Sequence, residues 1–187
     1  MHLLVGLGNP GKQYENTRHN IGWTVLDALH TAYKFPAWSK KFKGDISKGS
    51  IGPHEVVLLK PHTYMNLSGD SVQPAAAFFK IPPEAVTVIH DELDLPLLAL
   101  RYKRGGGDAG HNGLKSITQA LGTANYARLR IGIDRPVHKS QVADYVLHPF
   151  IPAEVLHVAT CTQRLAENMP LLFTDPTALL AKLKQAG

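Results

Sequence analysis

Short apolar runs alternate with helix-forming segments along most of this chain, and that alternation constrains the fold more than any other feature. Residues 3–7, 56–59 and 86–89 are too short for helices and are followed by glycine, proline or charged residues. Each is therefore predicted to be a buried strand. Residues 98–103 and 127–133 are two further strand candidates. Strands without a polar face belong inside a sheet that is covered on both sides.

Helical segments separate these strands. Helices are predicted for residues 21–29, 72–79 and 111–121, and for one or two amphipathic segments after Pro152. Asn20 is among the residues available to cap the first of them. In the second helix, Pro74 must lie in the first turn, because proline lacks the N–H that a helix interior needs.

Strands that alternate with helices predict the α/β class, as a three-layer α/β/α sandwich with a mixed, largely parallel central sheet. No repeat, low-complexity tract or linker divides the sequence, so we expect a single domain over residues 1–187. In such sheets, functional sites form in loops beyond the carboxyl ends of the strands. Residues 9–10, 61–66 and 91–92 follow predicted strands and are the first candidates.

Charge and cysteine content narrow the class of protein further. The 187 residues carry a formal net charge of +5, which permits an anionic partner such as nucleic acid but does not require one. A single cysteine, Cys161, excludes an intrachain disulfide and fits a reducing compartment. The N-terminus lacks signal-peptide features, and no apolar stretch is long enough to span a membrane. We therefore expect a cytoplasmic protein without membrane contact. We also expect it to be a monomer, although nothing in its charge or cysteine content requires this.

Two glycine-rich stretches raise the question of phosphate binding. Residues 6–11 match the dinucleotide-binding pattern G-x-G-x-x-G, but Pro10 stiffens the turn where the phosphate-binding helix would begin. We interpret these glycines as a tight turn after a strand. Residues 105–113 lack the ending of a P-loop. They form either a flexible surface loop or a close backbone approach to a ligand, with His111 or Asn112 pointing into a site.

Basic residues flank two parts of the chain. Arg101, Lys103 and Arg104 precede the second glycine stretch, and their charge beside exposed N–H groups suits a phosphate there. The alternative is a solvated surface, which is what a charge cluster of this kind most often forms. The other basic run is best interpreted as a solvated surface; it comprises Lys40, Lys41 and Lys43.

The residues favour acid–base chemistry at a histidine over a metal, a thiol or a cofactor. His19, His90 and His111 could converge, but no histidine pair has H-x-x-x-H spacing and no cysteine cluster exists, so we predict no metal. Cys161 falls in a predicted amphipathic helix, where a lone cysteine usually packs as a small apolar side chain. His19 is the candidate general base, and Asp91 is a carboxylate that could fix its tautomer.

No serine lies in a G-x-S-x-G elbow, so water is the expected nucleophile if a histidine works alone. Asparagine amides could then hold the substrate and stabilise a developing oxyanion. Asn9, Asn66 and Asn112 lie in loops that an α/β site would use, although a lone asparagine after a strand is more often a turn residue.

Taken together, the ordered motifs resemble the bacterial-type peptidyl-tRNA hydrolases. The resemblance covers the chain from its N-terminus to about Phe150 and rests on several motifs that agree in identity and order. These are Gly6 to Gly11, Tyr14, Thr17 to Asn20, Lys60 to Gly69, His90 to Asp94, the Gly105 to Gly113 loop with Lys115, and Arg128 to Ile133.

The resemblance implies hydrolysis of the ester between a peptide and the terminal ribose of tRNA, which recycles tRNA. It implies that His19 activates water and that Asp91 is its partner. It also implies that Asn9 positions substrate near the histidine, that Asn66 holds the peptide or the tRNA 3′ end, and that Asn112 orders water and substrate near the ester.

The resemblance further implies how the enzyme holds its partner, a peptidyl-tRNA. Lys103 and Arg130 match the basic pair that clamps the tRNA 5′ phosphate, in agreement with the charge cluster described above. Tyr14 and Tyr64 belong to motifs that contact the substrate. Asp108 and Ala109 depart from the family pattern in the glycine-rich loop, where the added acid weakens the local positive field.

Two other classes of function compete with this interpretation. A non-catalytic RNA-binding relative is disfavoured because the candidate catalytic positions are intact. The hypothesis of a nucleotide-dependent oxidoreductase rests only on the glycine pattern at residues 6–11.

Overall fold

A computed structural model describes residues 1–185, and its centre is a seven-stranded mixed sheet. The strands are β1 (His2–Gly6), β2 (Ser39–Lys41), β3 (Gly44–Ile51), β4 (His54–Pro61), β5 (Val86–Glu92), β6 (Leu100–Arg104) and β7 (Ala127–Gly132). They lie in the order β2-β3-β4-β1-β5-β7-β6. The four central strands run parallel, whereas β2, β3 and β6 are antiparallel to their neighbours.

Helices cover both faces of this sheet. They are α1 (Ile21–Ala32), α2 (Gly69–Phe78), α3 (Asn112–Leu121), α4 (Val142–Val146), α5 (Pro152–Glu167) and α6 (Pro176–Gln185). Short 3₁₀ helices connect several of them, including one at Arg18–Asn20 and one at Met65–Leu67. Within residues 1–185, no helix combines the length and the apolar character that a bilayer crossing requires.

Successive residues of the central strands face opposite sides of the sheet. In β1, Leu4 joins a core cluster that includes residues of α1, α5 and α6. Leu3 and Val5 join a second cluster with residues of α2 and α3. Both faces of the central strands are therefore buried, which confirms the predicted three-layer α/β/α sandwich with a mixed sheet.

The five predicted strands are present, but the sequence reasoning missed the hairpin of β2 and β3. Strand β3 is largely polar and buries only Ile46 and Ile51 among its larger apolar side chains. Strand β3 pairs with β4 along eight residues. This pairing depends on contacts between the two strands, which cannot be recognised from the spacing of apolar residues in β3 itself.

Two boundary predictions were wrong. Pro74 lies inside α2 and not in its first turn, because the helix begins at Gly69, directly after a 3₁₀ turn. Strand β5 continues through Glu92, so Asp91 is a buried strand residue and does not follow the strand.

One close approach of helix and sheet positions the site. A Cβ on Gly22 would lie 2.4 Å from the Leu7 backbone nitrogen and 2.4 Å from the Ile89 backbone oxygen. Only glycine permits this contact, and it brings the start of α1 over the carboxyl ends of β1 and β5.

Candidate active site

Asp91 lies between two histidines at the carboxyl edge of the sheet. Its Oδ2 is 2.8 Å from Nδ1 of His19, and its Oδ1 is 2.8 Å from Nε2 of His111. The Asp91 side chain is only 3% exposed, whereas that of His19 is 15% exposed. The predicted pair of His19 and Asp91 is therefore brought together, with a third member that sequence reasoning had not assigned.

Three different elements supply these side chains. His19 belongs to the 3₁₀ helix that precedes α1, Asp91 is in β5, and His111 is the N-cap of α3. The parallel strands end at the same edge of the sheet, which is why residues far apart in sequence meet there.

Hydrogen bonds fix the protonation of both imidazoles. The Gly113 backbone N–H donates to Nδ1 of His111 over 3.1 Å, so Nε2 of that ring carries the hydrogen that Asp91 accepts. For His19, Nδ1 donates to Asp91. Its Nε2 makes no hydrogen bond to any described residue and is left free to accept a proton.

Opposing effects set the ionisation of the pair. Burial lowers the pKa of His19, but the charge of Asp91 and its hydrogen bond outweigh burial and hold the pKa above its ordinary value. Burial raises the pKa of Asp91, but the two histidines outweigh it and hold the pKa far below the usual range. Asp91 therefore stays a carboxylate, and it strengthens His19 as a base.

The same three side chains are the candidate metal ligands among the described residues. One donor atom from each of His19, Asp91 and His111 lies within 4.8 Å of the others. Nδ1 of His19 and Nε2 of His111 are already engaged in hydrogen bonds to the two oxygens of Asp91, and the tautomer of His111 is fixed by Gly113. That pattern is typical of an acid–base site, in which a carboxylate orients imidazoles.

Asn9 and Asn20 form a reciprocal pair beside His19. The Asn9 backbone N–H donates to Oδ1 of Asn20 over 2.8 Å, and Nδ2 of Asn20 donates to the Asn9 carbonyl over 2.9 Å. Oδ1 of Asn9 accepts from the Met65 N–H over 2.8 Å. Asn20 is therefore not the predicted side-chain cap of α1. It fixes the Asn9 loop, and Asn9 in turn fixes the loop that carries Asn66.

The other predicted substrate-binding residues lie around this centre at different depths. Tyr14 is half-buried in a 3₁₀ turn after β1, and Tyr64 is 58% exposed. Asn66 is exposed in the 3₁₀ helix after β4, and Asn112 is exposed as the first residue of α3. All four occupy loops or helix starts on the carboxyl side of the sheet, and all but Tyr14 are exposed.

Lys103 and Arg130 lie together on the β6–β7 side of the site. Both line a small cavity of ≈ 20 Å³ that also touches His90 and Glu92. Nε of Arg130 donates to Oε1 of Glu92 over 3.0 Å, and this partner was missed from the sequence. Glu92 orients the guanidinium and offsets part of its charge.

Arg128 holds the glycine-rich loop and was also missed. It is 1% exposed, and its Nη1 donates to the carbonyls of Gly105, Gly106 and Gly107 over 2.7, 3.1 and 2.8 Å. A Cβ on Gly106 would lie 2.4 Å from Cε of Lys103. The stretch is therefore an anchored loop that packs against Lys103.

Fold and site together define a class of protein: an α/β enzyme whose acid–base centre is an aspartate between two histidines. Among the described residues, no serine, threonine or cysteine side chain hydrogen-bonds to either imidazole. Such a site is suited to reactions in which water attacks.

Comparison with known proteins specifies the family. Residues 3–186 match the family model described as peptidyl-tRNA hydrolase. The chain is 47% identical to the peptidyl-tRNA hydrolase of Acidiphilium cryptum, across 97% of this chain and 98% of the relative. It is also 47% identical to that of Gluconobacter oxydans, across 97% of this chain and 100% of the relative. The chain belongs to the peptidyl-tRNA hydrolase family.

A solved structure agrees with this assignment. The crystal structure of peptidyl-tRNA hydrolase from Acinetobacter baumannii superposes with a TM-score of 0.91 at 38% sequence identity. The superposition covers 98% of this chain and 94% of that one. The likeness therefore extends through the C-terminal helices, which carried little signature in the sequence.

Proposed function

We propose that this chain hydrolyses the ester between a peptide and the 3′-terminal ribose of tRNA, with His19 as the base that activates water. The observation that carries the proposal is the 2.8 Å hydrogen bond from His19 Nδ1 to Asp91, which leaves Nε2 as the free basic atom. The family membership supports the substrate, since the relatives are named for it.

The reaction follows from that geometry. Nε2 of His19 takes a proton as the water oxygen bonds to the ester carbonyl carbon, and Asp91 stabilises the imidazolium that forms. The tetrahedral intermediate then collapses: the bond from carbon to the ribose oxygen breaks, and His19 returns the proton to that oxygen. An ester has a better leaving group than an amide, so no covalent enzyme intermediate is needed.

Asparagine amides meet the negative charge that develops on the carbonyl oxygen. Oδ1 of Asn9 is occupied by the Met65 N–H, so its Nδ2 is the group that remains to donate. Asn112, at the start of α3, adds a second amide near His111, and this one is exposed. Donors of this kind contribute about 10²–10³ in rate when they are held in place. Asn66, Tyr14 and Tyr64 bind the peptide or the 3′ end around them.

The basic side of the site holds the RNA. Lys103 and Arg130 bind the 5′ phosphate of the acceptor end, because a small enzyme recognises tRNA by charge and shape at one end. Glu92 keeps the Arg130 guanidinium oriented. In this proposal the chain acts as a cytoplasmic monomer and uses no metal.

The test is release of labelled peptide. The purified chain is incubated with tRNA that carries a labelled N-acetyl-amino acid, and acid-soluble label is measured with time. We expect release, and we expect the recovered tRNA to accept its amino acid again. Retention of the label on intact tRNA, as expected for a protein that only binds RNA, would overturn the proposal. So would cleavage within the RNA chain.

A further inference from the structure

A basic cavity lies at the same edge of the sheet, on the side away from Lys103 and Arg130. Its volume is ≈ 440 Å³, within the range of about 300–1,000 Å³ that is typical of ligand pockets. It is lined by Lys40, Lys41, Lys43, Gly44, Asp45 and His62. The lysines that the sequence analysis interpreted as a solvated surface therefore surround a concave site, which we call the lysine cavity.

The turn between β2 and β3 holds two of these lysines in place. Phe42 and Lys43 have φ angles of 55° and 54°, a left-handed conformation that side chains rarely adopt without compensation. The Phe42 ring packs 5.3 Å from that of Phe78, and Nζ of Lys41 lies 3.6 Å from the Phe78 ring centre. These contacts with α2 fix the turn and keep positive charge at the rim of the cavity.

The charges in the cavity do not balance. Nε2 of His62 lies 2.7 Å from Oδ2 of Asp45, so the only carboxylate of the lining already has a partner. Among the described residues, no ion pair involves Lys40, Lys41 or Lys43. The lysine cavity therefore presents uncompensated positive charge to a ligand.

Packed rings connect the cavity to the active site. The His62 ring stacks on Trp23 at 5.0 Å between centroids and 24° between planes. A Cβ on Gly8 would lie 2.8 Å from the Trp23 ring and 2.9 Å from the Asn20 side chain. The Asn9–Asn20 pair and the lysine cavity thus lie on two sides of one tryptophan.

The order of the strands indicates in which direction the bound substrate runs across the sheet. In the order β2-β3-β4-β1-β5-β7-β6, His19 follows β1 and Asp91 lies in β5. Lys103 and Arg130 lie on β6 and β7, and the lysine cavity lies at β2, β3 and the end of β4. If the RNA occupies the β6–β7 side, the group on the other side of the ester extends over β4 and β3. That group is the peptide.

We propose that the lysine cavity binds an acidic side chain of the peptide, an inference that rests on the ester hydrolysis proposed above. Two strand spacings separate β3 from β1, or about 10 Å. An extended peptide advances about 3.3–3.6 Å for each residue. The preferred acidic side chain is therefore about the third residue counted back from the ester.

The test compares three substrates that share one tRNA and carry an N-acetylated tetrapeptide. The third residue from the ester is Glu, Gln or Lys. For the wild-type chain we expect kcat/KM to be about two- to fivefold higher with Glu than with Gln, the effect of a partly exposed ion pair, and lowest with Lys. Equal values for the three substrates would overturn the proposal.

A double variant assigns the preference to the cavity. Lys40→Gln with Lys43→Asn removes two charges, and asparagine tolerates the left-handed backbone at that turn. We expect the Glu preference to disappear while the Gln substrate is cleaved at the wild-type rate. The matched control is Lys48→Gln with Lys182→Gln, two exposed lysines outside the cavity, and it should keep the preference.

Other outcomes separate the alternatives. If kcat/KM of the cavity variant fell by the same factor with all three substrates, the lysines would contact RNA. That result would overturn the assignment of the cavity to the peptide. If the wild-type chain cleaves none of the substrates, the proposed hydrolysis fails first, and this inference falls with it.

Discussion

At the scale of single residues, Asp91 explains more of the site than His19 does. It is buried near the carboxyl end of a central strand, where an unpaired carboxylate would be costly, and two imidazoles compensate for that cost. The same contacts fix the orientation of both rings. The free nitrogen of His19, Nε2, is thereby held in one orientation.

Asp91→Asn tests this role through pH. An amide cannot supply the negative charge that raises the pKa of His19, and burial, which lowers the pKa, then dominates. We expect kcat to fall by about 10²–10⁴, because the amide also disturbs the tautomer. We expect the acidic limb of the pH profile of kcat/KM to move to lower pH. Asp94→Asn, an exposed position nearby, is the control and should keep the wild-type profile.

The sequence predicted the pair of His19 and Asp91 but not the residues that hold the pair. His111 was visible as a side chain that could point into a site from a glycine-rich loop and as one of three histidines that could converge, but it was not assigned to Asp91. Asn20 looked like a helix cap, because asparagine before a helix usually is one. Arg128 lay in a strand pattern, and no local signal shows that its guanidinium binds three carbonyls of a loop that precedes it in sequence.

At the scale of elements, the contact between α1 and the sheet sets the distance between His19 and Asp91. Gly22→Ala places a methyl group within 2.4 Å of backbone atoms of Leu7 and Ile89, which cannot move aside as a flexible side chain could. We expect a loss of about 1–3 kcal/mol in the free energy of unfolding, together with a lower kcat.

Denaturant unfolding and initial rates measure the two effects of Gly22→Ala. Gly107→Ala is the matched control, since a Cβ there meets nothing within 4 Å. If the two variants had the same free energy of unfolding and the same kcat, the close approach of α1 to the sheet would not be what positions His19.

His90, which also lies in β5, should affect how the stability of the protein depends on pH. This side chain is 1% exposed, and burial, followed by repulsion from His111, lowers its pKa to about 3. The unfolded chain binds a proton there below about pH 6.5, whereas the folded chain does not. The contribution of His90 to the free energy of unfolding should therefore fall by roughly 1 kcal/mol for each pH unit as the pH decreases from 6 to 4.

Urea unfolding at several pH values measures this slope. His90→Asn removes the titrating group and should flatten the slope between pH 6 and 4, whatever it does to the absolute stability. His157→Asn removes an exposed histidine of α5 and should keep the wild-type slope. An unchanged slope in His90→Asn would contradict the assignment.

Elements differ in how well the sequence predicts them. Strands β1, β4 and β5 are buried on both faces and therefore consist of continuous apolar runs, which can be recognised in the sequence. Strands β2 and β3 lie outside the parallel part of the sheet, and many of their residues are polar and exposed or half-exposed. Their existence, and with it the lysine cavity, follows from the pairing of β3 with β4 and of β2 with β3, and not from a local sequence pattern.

At the scale of the whole molecule, the proposed function assigns the RNA to one side of the catalytic centre. Lys103 and Arg130 lie together on that side, and under the proposal their charge attracts the phosphates of the tRNA. A contact remote from the ester stabilises the bound substrate and the transition state alike. Lys103→Ala should therefore raise KM and leave kcat nearly unchanged.

Salt dependence gives a second readout for Lys103→Ala. Loss of one phosphate contact should reduce the slope of log kcat/KM against log salt concentration by about 1. Lys182→Ala, on α6, should leave both KM and the slope as they are in the wild type. A large loss of kcat with unchanged KM in Lys103→Ala would contradict a phosphate contact.

The most direct test of the account is the single-turnover rate at which His19→Ala releases an N-acetyl-amino acid from tRNA at saturating enzyme. If His19 is the base, the rate constant falls by about 10²–10⁴ while the affinity for the substrate stays at the wild-type value. Release at the wild-type rate would show that another group activates the water, and it would contradict the mechanism.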